Sequence, residues 1–192
     1  MSEHYAPRSA GIVDIVRAAF TATAATIAAL SITLPAPALA KGPSANQIHR
    51  AVSRAEGSSS LWATVNVCSS KGKGRGGELG VRGQMPALGF DATLRMTIQL
   101  GFWSQKHERF IPIDGTHATS NLSLGSPSSG LQQDGVMYGF DNSAGLLNAS
   151  IDFTWTRGGR VIGEASRITT SGHPDADYAQ PAHYSASHCR PG

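Results

Sequence analysis

From residue 61 onward, apolar and polar positions alternate with a period of two through most of the chain. In Leu61-Trp-Ala-Thr-Val-Asn-Val-Cys68, Leu61, Ala63, Val65 and Val67 fall on one side and Trp62, Thr64, Asn66 and Cys68 on the other. That is the signature of a β-strand. Both sides carry groups worth burying, so a central strand is expected. Glu78 to Met85 forms a second strand, stopped by Pro86, which has no N–H to give to a ladder. The clearest alternation runs from Thr93 to Trp103, with Leu94, Met96, Ile98, Leu100 and Phe102 inward and Arg95, Thr97 and Gln99 outward. A turn at residues 104–107 sends Glu108 to Ile113 back as the second arm of a hairpin.

Residues 114–134 are polar and rich in Gly, Ser and Pro, with one short strand expected around Asn121 to Leu124. Val136 to Phe140 and Leu147 to Arg157 add two strands, the latter with Ile151, Phe153 and Trp155 on one face. Gly158-Gly159 suits a two-residue hairpin turn with positive φ at both positions, and Arg160 to Thr170 pairs back. Residues 172–192, rich in His, Pro and Ser, read as an extended tail.

Ahead of the strands, the period is helical. Ser44-Ala-Asn-Gln47 fits a capping box, and Ile48, Val52 and Ala55 recur at helical spacing before Gly57. A dozen residues make a stable helix only if they dock on something, so 41–60 is either a short helix or a linker. Seven or eight short strands with regular turn signals predict an all-β domain over residues 61–171. An antiparallel, immunoglobulin-like β-sandwich fits best, and a small β-barrel is the alternative. The immunoglobulin tyrosine-corner spacing is absent, since Tyr184 lies five residues before Cys189.

Composition agrees with that architecture. Only 15% of the 192 residues are charged, and 22 are glycine, which favours a turn-rich β protein over a helical one. Residues 18–34 carry no charge and are followed by Pro35-Ala-Pro37 and Ala38-Leu-Ala40, a small-x-small site. Residues 1–40 therefore read as a secretory signal peptide, with an uncleaved anchor as the alternative. Its removal leaves the net charge at +3, too weak a field to imply nucleic acid. No membrane span is expected after cleavage, and a monomer is expected. In an exported chain, two cysteines argue for one disulfide, and Cys68–Cys189 is the one pairing available within the chain. Closing so long a loop stabilises the fold by roughly 4–5 kcal/mol in the chain-entropy view.

Four segments, Leu61–Cys68, Gly80-Val-Arg-Gly-Gln-Met-Pro86, Phe153-Thr-Trp-Thr-Arg-Gly-Gly-Arg160 and Tyr184-Ser-Ala-Ser-His-Cys189, resemble a group of small secreted actinobacterial proteins. The resemblance covers about half of the chain after the leader, in patches. It implies a β-sandwich with its ends joined by the disulfide, and it carries over no catalytic residue or activity.

Candidate chemistry is sparse. No serine lies in Gly-x-Ser-x-Gly, and no Cys-x-x-Cys occurs, so neither an enzyme nor a cofactor is expected. His173-Pro-Asp175-Ala-Asp177 places three metal-ligand types at alternate positions, which share one face if the segment is extended. Lys71, Lys73 and Arg75 alternate with glycine in the loop after the first strand, a backbone able to approach anions. Trp103 sits on the polar face at the end of its strand and is the candidate exposed binding aromatic. The expected function is a secreted binding or structural module of the cell envelope. Its partners would be wall glycan, an anionic envelope polymer or another envelope protein. A secreted hydrolase or metal-binding protein is the alternative.

Overall fold

A computed structural model describes residues 42–70, 76–142 and 144–192; the expected signal peptide and the basic loop lie outside them. Among the described residues, eight strands form two antiparallel sheets packed face to face, so the sandwich expected from the alternation is the fold. They are β1 (Trp62–Ser70), β2 (Gly77–Pro86), β3 (Thr93–Ser104), β4 (Arg109–Pro112), β5 (Thr119–Ser123), β6 (Leu131–Phe140), β7 (Leu147–Arg157) and β8 (Arg160–Ile168). One sheet has the order β1-β2-β6. The other is β4-β3-β7-β8, with β5 also pairing along β3.

The core lies between them. Leu61, just ahead of β1, and Ala63, Val65, Leu79, Val81 and Met85 from the smaller sheet meet Leu94, Met96, Ile98, Leu100, Ile151, Phe153 and Trp155 from the larger. Gly83 leaves room for this contact. A Cβ there would stand 2.8 Å from Ile151 Cδ1 and 3.1 Å from the Met96 sulfur. The small residue on β2 thus accommodates the large ones on β7 and β3, as close packing requires.

Residues 45–56 are helical (α1, Ala45–Glu56), with the Ser44/Gln47 capping box formed. Ala51, Val52 and Ala55 are buried, and the helix packs on β8. Gly163 is the contact point, where a Cβ would lie 2.5 Å from Val52 Cγ1. Arg167 then donates to the carbonyls of Glu56 and Leu61, tying the helix end and the turn behind it to the sheet. Docking is what makes so short a helix stable.

Three expectations about the strands are corrected. First, β1 is an end strand rather than a central one. Its free edge is covered by the chain that follows β8. The Val65 and Ala186 backbones bond reciprocally, and the Gln180 and Thr170 amides donate to the carbonyls of Asn66 and Ala63. The tail protects an edge that would otherwise be open to pairing with another chain.

Second, Trp62 and Cys68 do not share a face. The register slips between Val65 and Val67, leaving Asn66 as the extra residue of a bulge. Beyond it, the faces exchange: Val67 lies against Gly80 on the outer side, while Cys68 pairs with Leu79 and packs against the core. A bulge inserts one residue and reverses the side-chain phase that simple alternation assumes. Third, Phe102 keeps the inward phase of β3 but is 39% exposed, although Leu147, its partner across the ladder, lies in the core.

The disulfide Cys68–Cys189 is formed, with a Cα–Cα distance of 5.6 Å and a sequence separation of 121 residues. Cys189 is further held by reciprocal backbone bonds with Leu147 of β7. The tail is therefore joined to both sheets. Among the described residues, no helix is long and apolar enough to cross a membrane.

Candidate functional site

The outer face of β3 and its neighbours holds the strongest candidate site. Ile98 and Leu100 both lie in the core, so the outward phase of β3 belongs to Gln99, Gly101 and Trp103. The β3–β4 hairpin sets Phe110 directly opposite Trp103 in register. Their rings meet edge to face at 73°, with centroids 5.3 Å apart, an arrangement favoured by the aromatic quadrupole. Trp103 is 40% exposed and Phe110 half-buried. His188 adds a third ring, 6.3 Å from Phe110, carried there by the neighbouring half-cystine Cys189.

Next to this aromatic pair, Gly101 stands in register with Pro112 of β4 on one side and Asn148 of β7 on the other. Two residues back along β3, Gln99 pairs with Ser150, and Ser150 with Ile168 of β8. A hollow of about 160 Å³ opens over these rows, walled by Phe110, Pro112 and Ile168 and floored by Gly101, Asn148 and Ser150. None of the described residues lining it is charged. The face is thus apolar and aromatic with a few neutral polar groups, the usual make-up of a small-molecule site.

Larger hollows open elsewhere. One of about 540 Å³ lies between α1 and residues 88–90, with Arg50, Arg54 and Phe90 in its walls. Another, of about 480 Å³, lies beside Asp91 and Arg157. Neither is lined by a buried polar side chain, so size alone does not favour them.

The other candidates fare differently. His173, Asp175 and Asp177 do not lie along an extended segment, because a turn bonds the Ala176 amide to the His173 carbonyl. The His173 ring stacks on Trp62 at 4.6 Å, and its Nε2 lies 3.0 Å from the Thr170 hydroxyl. Burial lowers the His173 pKa, which disfavours the imidazolium. Asp175 and Asp177 contribute backbone groups to Gln133 and Asn66. Among the described residues, no three His, Cys, Asp or Glu side chains converge as a metal site would need. Lys71, Lys73 and Arg75 lie outside the described residues.

Phe110, His188, Gly101 and Asn148 are not distinguished by the sequence pattern. Phe110 is legible only as a strand residue, and the other three depend on register and on the path of the tail. The chain matches no protein-family model and no curated protein.

Proposed function

We propose that the chain is a secreted module of the cell envelope that binds a neutral glycan through the Trp103 face. The observation that carries this reading is the exposed Trp103, braced edge to face by Phe110 on a rigid sheet. A flat ring held at a fixed angle offers a stacking surface to the C–H face of a sugar at little entropic cost. Placement in the envelope is supported by the leader-like residues 1–40, by the resemblance to small secreted proteins, and by a disulfide, which persists in oxidising compartments.

Retention on purified, insoluble cell wall tests the proposal. Trp103→Ala is expected to weaken retention about ten-fold, the equivalent of roughly 1.4 kcal/mol. Retention should survive high salt, because the lining of the hollow is uncharged. Binding that disappears with salt and with Lys71, Lys73 and Arg75 changed to Ala, but ignores Trp103, would move the site to the basic loop.

A further inference from the structure

We infer that the hollow beside Trp103 recognises the acetamido group of an N-acetylated hexosamine; this rests on the glycan reading above and names its ligand class. The inference turns on Asn148. This residue is only 7% exposed, yet its carboxamide forms no hydrogen bond with another described protein group. Gln99, in the same hollow, shows the ordinary situation. Its amide nitrogen donates to the carbonyls of Leu100 and Ile113, and its oxygen accepts from Thr119. The Asn148 carboxamide is different: its polar atoms keep contact with solvent through the hollow, so water or a ligand group, rather than the protein, completes their hydrogen bonds. Asn148 is left open toward the hollow that it lines.

Gly101 makes room for it. A Cβ at position 101 would lie 2.6 Å from Asn148 Oδ1, so any larger residue would displace the carboxamide. At about 160 Å³ the hollow is the smallest of those described above, of a size for a substituent rather than a whole sugar ring.

The chemistry is reciprocal. A primary carboxamide offers an N–H for the acetamido carbonyl and an oxygen for the acetamido N–H. The methyl group would then rest against the apolar wall of Phe110, Pro112 and Ile168, and the sugar ring against Trp103. A free amine would lose the carbonyl acceptor and the methyl contact. It would also bring a charge into a hollow whose described lining has no carboxylate.

Titration calorimetry of the mature protein with three hexasaccharides tests this: the β-1,4 oligomers of N-acetylglucosamine, glucosamine and glucose. The N-acetylated oligomer is expected to bind at least ten-fold tighter than the other two, and Asn148→Ala to abolish that preference. Trp103→Ala should weaken all three. Equal binding of all three, still dependent on Trp103, would overturn the acetamido inference and leave the glycan reading standing. Binding of none would overturn both. Should Asn148→Ala fail to fold, the side-chain amide resonances of Asn148 in the wild-type protein provide the readout. They should shift with the N-acetylated oligomer alone, and their indifference to it would overturn the inference.

Discussion

The indole N–H of Trp155 donates to the carbonyl of Pro86 at 3.0 Å, joining β7 of one sheet to the last residue of β2 in the other. Trp155 is fully buried, so its polar atom needs a partner, and the end of β2 supplies it. Trp155→Phe removes the donor and part of the ring together. It should destabilise the domain by about 2–4 kcal/mol, read as a lower urea midpoint with an unchanged slope.

Cys68 and Cys189 hold the tail from its far end. Replacing both with Ser should cost about 4 kcal/mol through restored freedom of the unfolded chain. The loss should begin locally: the Gln180 and Ala186 amides, which bond to β1, should exchange faster than those of the β3–β7 ladder. Uniform acceleration across the domain would show that the tail does not open separately.

Gly163 is where α1 meets the sheet. Gly163→Ala places a methyl group against Val52 and should cost about 1–3 kcal/mol as the helix shifts outward. Limited trypsin digestion should then cut first at Arg50 or Arg54, while the sandwich persists.

His173 makes stability depend on pH. Burial lowers its folded pKa below the unfolded value of about 6.5. Well above that pH, the ring is neutral in both states. As pH falls through it, the unfolded chain takes up the proton first, so stability declines, and it levels off below the folded pKa. His173→Phe keeps a ring on Trp62 and removes this titration. The stability of wild type relative to the variant should therefore fall as the pH drops through the unfolded value of about 6.5. The effect should be small, because the ring is only half-buried and water screens it. Asp175, Asp177 and His183 lie in the same tail and are common to both proteins, so the comparison cancels their contributions.

Strands with one buried face are legible from local alternation. In β3 and β7, each second residue is apolar, and the turn at Gly158-Gly159 has positive φ at both positions. The first half of β6 is not legible. Leu131 to Gly135 contains Gln132, Gln133 and Asp134, with no apolar alternation, and is a strand because β2 supplies a ladder along its whole length. Hydrogen bonding to a neighbour overrides the weak local pattern there.

The all-β class, the capping box, the cysteine pairing and most strand spans follow from the chain read in order, because periodicity, capping and turn chemistry act between near neighbours. The choice of helix over linker for residues 45–56 was made by docking on β8. Three-dimensional packing was needed to make Asn66 bulge, to turn Cys68 toward the core, and to close the edge of β1 with the tail. It also brought Gly101, Phe110, Asn148 and His188 together around Trp103. Those relations depend on register and on which strands lie side by side, and register is set by the packing of both sheets at once rather than by any one stretch.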